Sequence, residues 1–532
     1  MEENKLINIV QIEAKDIVNA GDDGYVVKSL KRYKGSFDYS LEWIKLKEVA
    51  EKILRKKNIT FKSDDVNDDK VYTDLLVSVT FKYKTEELGR SALREKLYRD
   101  GFILDGKKYV RFKRSSGSSR VGKCLFIREE LHKSMMKWSY MGLTFKDEDE
   151  MDLASMEAYI SLTTSSIVDT IEIDPKSILV IDDYESKFQD NAIAVKIGED
   201  NWLQAKKEVV NISNSIWDGQ SLMDVSLFGN KYKNKGMLLL RNRFFKSCCF
   251  NCNIQQFFKD NNITDLSQLQ GYTRAEKIED IKIITTPSSI KYLKFGTMDE
   301  YFDKVEPLFG IVKYDKPTHY MNGELVQCHY QLLNTLEMTR EDTEEFLKDT
   351  IDYVRMLKQD SSVMRWHLKM NIENRGNIKS LSTSTDFIYA MLMMNDDISH
   401  TNMYNQFKTD LIKNYINNAR SGHIFINGNY STLMGNGLEM LKASIGMFDG
   451  TSSLGIGEVM NKNFGFNKKL LGSRSPHVTM GNIWLMKNTY ISDIDKYFNL
   501  SKQIICINSI GDNVLERLNG CDCLKSPLYG NI

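Results

Sequence analysis

No apolar run in this chain reaches the roughly 20 residues that a membrane-spanning helix needs. The polar start Met1-Glu2-Glu3-Asn4-Lys5 lacks the apolar segment of a secretory signal. Cysteine is sparse: 8 in 532 residues make no disulfide framework, which points to a reducing, cytoplasmic setting. Proline is scarcer still, at 6, and with heavy use of Lys, Asn and Ile this suggests an AT-rich coding source. Charge of one sign is also missing, since 72 basic residues balance 72 acidic ones. Any nucleic-acid surface must therefore be a local patch. No internal repeat or low-complexity tract is visible. What remains is 42% hydrophobic and 27% charged, the composition of a globular protein with sizeable cores, in roughly three or four domains.

Residues 1–100 read as mixed and largely helical, with apolar residues at helical spacing from Leu41 to Leu54. The run Asp64 to Asp69 lacks the glycine and distal glutamate of a calcium loop and reads as a solvated turn. Lys107 to Arg114 alternates basic and apolar residues like a half-buried strand. The loop Ser115 to Lys123 follows, rich in Ser, Gly and Arg. Seven Lys or Arg between 107 and 123 suit phosphate contact, while the plain alternative is a basic, aggregation-resistant strand edge. Apolar β-branched runs predict strands at Ile178–Ile181, Ala192–Val195, Met237–Arg241, His423–Ile426 and Ile504–Ile507, with Asp182–Asn191 as a connection and Asn427–Tyr430 as a turn. Between 337 and 419 the period is helical, and Met391, Met393 and Met394 read as core filler. Cys248, Cys249 and Cys252 offer too few ligands for a structural zinc and read as buried free cysteines. Arg365 and His367, beside Trp366, read as a packed helix end.

Near the C-terminus, Ser473-Arg474-Ser475-Pro476-His477 precedes, by about 45 residues, the loop Leu518-Asn519-Gly520-Cys521-Asp522-Cys523. Read with Trp217-Asp218-Gly219-Gln220, Lys235-Gly236 and Lys246 upstream, these segments resemble the two-barrel, double-psi β-barrel RNA polymerases. The likeness is nearest to single-chain RNA-silencing-type enzymes and their phage and mobile-element relatives. The resemblance implies an α+β fold. It comprises an N-terminal mixed region (1–170), a first barrel with connector (171–330), a helical block (331–420) and a second barrel (421–532). It also implies that Lys235 and Lys246 are active-site lysines, that Arg474 reads the incoming ribose beside a turn stiffened by Pro476, and that Asp522 is the first of three magnesium-holding aspartates. Arg114, Arg120, Lys123, Arg241 and Arg243 become candidates for nucleic-acid contact.

The other two aspartate positions are Leu524 and Ser526. One carboxylate is a poor magnesium site, because the ion prefers six oxygens at fixed geometry. The expectation is a template-directed polymerase, acting on ribonucleoside triphosphates with an RNA or DNA template, that is inactive alone. A truncated or frame-shifted gene accounts for this, as does a split enzyme completed by a second chain. The reading from another class is a non-catalytic nucleic-acid- or polymerase-binding scaffold.

Overall fold

The structure, a computed structural model, describes residues 7–530 apart from 22, 28–34, 55, 57–70, 115–121, 147–149, 319–324, 375–382, 478–479 and 519–524. Asp64–Asp69, Arg120, Asp522 and Leu524 thus lie outside the described residues.

The N-terminal region is built on a six-stranded sheet, so strands take a larger share than its helical spacing predicts. Strand β1 (Ile7–Glu13) lies between β2 (Gly35–Phe37) and β3 (Val71–Thr80). The sheet continues through β6 (Lys123–Arg128) and β5 (Lys107–Arg111) to β4 (Phe102–Leu104). Helical spacing misleads here because the central strand β3 is covered on both faces. Leu75, Leu76, Val77 and Val79 are all buried, so no alternation marks it. The helices Leu41–Leu54 and Glu129–Tyr140 supply Trp43, Leu46, Leu131 and Met135 to one of these faces.

After Lys107 the predicted alternation is not kept: Tyr109 is buried, and then the adjacent Phe112 and Lys113 both are, so Lys113 departs from a solvated basic edge. Its ammonium is fully buried, 2.6 Å from Glu42 Oε2, and donates to Ser139 Oγ and the Ile160 carbonyl at 3.0 Å each. Burial pushes its pKa down. A charge so placed persists because its donors are all used.

Strands β7 (Asp169–Glu172) and β8 (Ile178–Val180) open the next sheet. The Asp182–Asn191 segment is largely strand rather than connection. Strands β9 (Glu185–Ile197) and β10 (Leu203–Ser215) pair over 13 residues as a separate two-stranded ribbon. Most of its side chains face solvent, so polar residues run through it without breaking it. The eight-stranded sheet then takes in β11 (Gln220–Asp224), β12 (Met237–Asn242), β13 (Phe245–Cys252), β14 (Tyr272–Thr273), β15 (Ile283–Thr285) and β16 (Leu308–Tyr314). Its order is β14-β8-β15-β11-β13-β12-β16-β7. Cys248, Cys249 and Cys252 are buried in β13 as free thiols.

After β17 (Leu325–Gln327), helices Tyr330–Thr335, Arg340–Gln359, Ser361–Asn374, Ser384–Met394 and Asn402–Arg420 pack together. Met393 and Met394 are not core: they are 62% and 87% exposed, because Ile388 and Leu392 occupy the buried side of that helix. His367 is buried, with Nδ1 2.6 Å from the Tyr353 hydroxyl and Nε2 2.8 Å from Asn371 Nδ2. Arg365 pairs with Asp396.

The last sheet joins β17 to β18 (Phe425–Gly435), β19 (Glu458–Asn461), β20 (Lys469–Ser473), β21 (Ile483–Asn488), β22 (Ile504–Ile507) and β23 (Lys525–Gly530). Asn427–Tyr430 runs inside β18 rather than turning. Asn429 is wholly buried there, and its amide donates to the Lys502 carbonyl. Strand β18 pairs with both β22 and β23, and β20 with both β21 and β23. With β19 between β21 and β22, the ladders run round a closed circuit of six strands. One core joins the two sheets: Trp217, Leu222 and Phe250 pack in the same cluster as Met434, Phe498 and Ile504. No helix among the described residues is long and apolar enough to cross a membrane.

Candidate active site

The two barrel-bearing sheets meet along a polar seam. On one side is the Asp218-Gly219 turn, which needs a positive φ of 65° at Gly219. Gln220, the next residue, reaches across. Its Nε2 donates to the Gly435 carbonyl at 2.7 Å, and the Gly435 N–H donates to its Oε1 at 2.9 Å. A side-chain amide thus satisfies both backbone groups at the end of β18, as a neighbouring strand would. A Cβ at Gly435 would stand 2.7 Å from the Ile216 carbonyl, so only glycine permits this approach.

Asn436 follows in the left-handed region, φ 42°. Its carbonyl accepts from Trp217 Nε1 at 3.0 Å. Its Oδ1 accepts from the Ser509 N–H and hydroxyl, each at 2.9 Å. The Met-Gly-Asn stretch therefore ties the first sheet to the residues just after β22. At the root of the ribbon, Asn214 Nδ2 donates to the carbonyls of Ser509 and Asp512. Asp512 is a buried carboxylate whose Oδ2 accepts the Gly457 N–H at 2.7 Å, and burial raises its pKa. Gln220, Asn436 and Asp512 carry this seam, yet a single Gln, Asn or Asp in a turn-rich stretch carries no motif that would mark it.

A small gap of about 30 Å³ lies in the seam. Asp218 and Gln220 line it from one side, and Ile507, Ser509 and Leu515 from the other. Leu515 stands seven residues before Asp522. The loop that carries Asp522 thus leaves the described chain close to the Asp218 turn.

Arg474 stands at the root of that loop. It follows β20 directly, and its Nη1 donates to the Leu518 carbonyl at 2.9 Å. Asn482 Nδ2 holds the neighbouring Arg517 carbonyl, also at 2.9 Å. The peptide between Ser475 and Pro476 is cis. Arg474 and Asn482 therefore cap carbonyls at the end of the Val514–Arg517 helical turn. Ser526 lies in β23, opposite Ser431.

The two lysines stand at opposite ends of one hairpin. Lys235 precedes β12: its carbonyl accepts from Asn251 Nδ2 at 2.9 Å, and its ammonium lies 5.1 Å from the Tyr314 ring centroid. Gly236 beside it lets the turn press on β22, because a Cβ there would meet Ile504 Cγ1 at 2.8 Å. Lys246 is opposite Arg241, at the far end of the same ladder. Six residue steps, about 20 Å, separate the two backbones. Lys246 shares its end with the Asp218-Gly219 turn, since Ser247 Oγ and the Cys248 N–H both donate to the Gly219 carbonyl. Lys246 thus lies beside the Asp218-Gly219 turn, Arg474 is bonded to Leu518, and Lys235 stands at the other end of the hairpin.

The arginines near β12 are inside. Arg241 is 8% exposed and donates to the Leu240 carbonyl. Arg243, 6% exposed, donates to the carbonyls of Trp138 and Lys304 and stacks 5.3 Å from the Trp138 ring. Arg243 thus joins the N-terminal helix to the first sheet, which takes up the donors that nucleic-acid contact would use. Arg114 and Lys123 line a cavity in the N-terminal sheet.

Among the described residues no group of three or more His, Cys, Asp or Glu could hold a metal ion. The loop sequence offers one carboxylate, Asp522, followed by Leu524 and Ser526 where further oxygens would stand. This donor set does not fit a catalytic magnesium.

No protein-family model matches the chain. It is 24% identical over 386 residues to the DNA-directed RNA polymerase YonO of Bacillus phage SPbeta, an alignment covering 69% of this chain and 43% of the phage protein. Among solved structures, the RNA dependent RNA polymerase QDE-1 from Thielavia terrestris matches with a TM-score of 0.57, at 13% identity, over 87% of this chain and 51% of that one. The chain thus spans about half the length of each of these two proteins. By its sequence and its α+β fold together, the chain is related to the two-barrel RNA polymerase superfamily.

Proposed function

We propose that this chain is an RNA polymerase-like protein whose seam is the remnant or the half of a nucleotidyl-transfer site. The reaction of that site would be attack of an RNA 3′-hydroxyl on the α-phosphate of a ribonucleoside triphosphate, directed by a template. The observation behind the reading is the Arg474–Leu518 hydrogen bond, taken with Leu515, which lines the same gap as Asp218. In this reading the Lys246 ammonium neutralises triphosphate charge, and the planar guanidinium of Arg474 orients the ribose. Lys235, at the other end of the hairpin, holds product or template rather than the reacting phosphate. With a single carboxylate in the loop, the chain alone is inactive or nearly so. A second chain supplying the missing carboxylates would complete it, and a non-catalytic scaffold that binds nucleic acid is the rival reading.

The test is primer extension with magnesium, four ribonucleotides and a primed RNA or DNA template. It compares the native chain with a Leu524→Asp, Ser526→Asp variant. Extension by the variant alone supports a polymerase that lacks its ligands. Extension by neither, with salt-sensitive strand binding by both, favours the scaffold. Robust extension by the native chain contradicts the one-carboxylate account.

A further inference from the structure

The N-terminal sheet carries two adjoining cavities remote in sequence from the barrels. The first, about 280 Å³, is lined by Arg90, Ser91, Arg94, Tyr98, Arg114 and Lys123. The second, about 640 Å³, meets it at Arg114 and adds Arg111, Tyr140, Met151 and Met156. Their residues divide by chemistry: cations around the smaller space, an aromatic ring and thioethers around the larger.

Arg90 and Arg94 stand one turn apart on the helix Arg90–Asp100, where like charges repel. Among the described residues neither they nor Arg114 forms an ion pair. Lys123 Nζ donates to Gln11 Oε1 at 3.0 Å, a neutral partner that leaves its charge uncompensated. Arg111 is different, for it pairs with Glu157 and stacks 4.6 Å from the centroid of the Tyr98 ring. Arg111 and Glu157 line the larger cavity as a pair.

We propose that these two cavities seat one unit of a single nucleic-acid strand. Its phosphodiester lies among Arg90, Arg94, Arg114 and Lys123. Its base lies against Tyr140, Met151 and Met156. Four cations exceed the single charge of one phosphodiester, and a strand brings more than one phosphate to the cavity. The larger space is of the size that holds a nucleoside. A free nucleotide shares this chemistry, and the test separates the two sources. The inference goes beyond the polymerase reading and does not depend on it, because binding is measured without catalysis and the altered residues lie outside the seam.

The experiment is fluorescence anisotropy of a labelled 12-nucleotide single strand against the full chain over a range of salt. Arg90→Ala/Arg94→Ala is compared with Lys206→Ala/Lys207→Ala, which removes the same charge from the exposed ribbon. Arg90 and Arg94 are exposed, and alanine relieves their repulsion, so circular dichroism should show both variants folded. The cavity variant is expected to bind about tenfold more weakly near 0.1 M salt, with a log–log salt slope shallower by about 1.4, and the ribbon variant to stay within about twofold. An abasic strand should bind the native chain more weakly than the intact one. Equal losses in both variants, or none in the cavity variant, overturn the phosphate seat. Equal binding of the abasic strand overturns the base seat. Displacement by ATP with strand affinity unchanged in the cavity variant overturns the strand in favour of the free nucleotide.

Discussion

Arg474 donates to the Leu518 carbonyl across 2.9 Å, and so fastens the segment after β20 to the chain four residues before Asp522. Over four residues the chain reaches at most about 14 Å, so this one bond confines Asp522 to the neighbourhood of the guanidinium. The bond also explains why two sequence features about 45 residues apart belong to one site.

Replacing Arg474 by Ala should cost about 1–2 kcal/mol of stability, read from urea midpoints, because the Leu518 carbonyl loses a charged donor. In the Leu524→Asp, Ser526→Asp background it should lower extension by about 100-fold, since a loop misplaced by an ångström no longer aligns its groups. Arg474→Lys should recover stability better than extension, because an ammonium keeps the charge without the fork.

The seam depends on Gln220 and Gly435 together. Gly435→Ala forces a Cβ to 2.7 Å from the Ile216 carbonyl, and backbone cannot swing aside as a side chain would. The expected loss is about 1–3 kcal/mol. Gln220→Ala strips the partners from a buried N–H and carbonyl, for about 1–3 kcal/mol. Because both act on one contact, the double variant should lose less than the sum, a coupling that thermal or urea melts of all four proteins would measure.

His367 makes the helical block sensitive to acid. Burial lowers its pKa from 6.5 to about 4, so the folded state resists the proton that the unfolded state takes up. The stability this histidine confers is complete above pH 6.5 and is lost progressively as pH falls through about 4, in total about 3 kcal/mol. His367→Gln, which keeps hydrogen-bonding capacity for Tyr353 and Asn371, should flatten the fall of stability between pH 6.5 and 4. Urea melts across that range check it.

Much of the barrel architecture is legible in the sequence because buried strands there are short apolar runs. Met237–Arg241 and Ile504–Ile507 are read directly and appear within β12 and β22. Of the ribbon only Ala192–Val195 is read, within β9, because strands this exposed carry polar residues over most of their length. Nor is the buried Lys113, because its partner Glu42 lies 71 residues away. The separation of Lys235 from Lys246 is invisible for a different reason. Their spacing of eleven residues fits many geometries, and only the hairpin register sets them at opposite ends. Arg243 looks like a free cation in a basic stretch, and only the packing of Trp138 and Lys304 shows where its donors go.

The proposed site requires Asp522 to come near Asp218, and native thiols allow a direct check. Asp218→Cys introduces a thiol at an exposed turn, while Cys521 and Cys523 flank Asp522 in the loop. A disulfide requires Cα atoms within about 7 Å. Mild oxidation followed by peptide mass spectrometry should find residue 218 bonded to Cys521 or Cys523, and no such bond from a Lys206→Cys control on the ribbon. Bonding from the control and none from position 218 would contradict the shared cleft and the roles given to its residues.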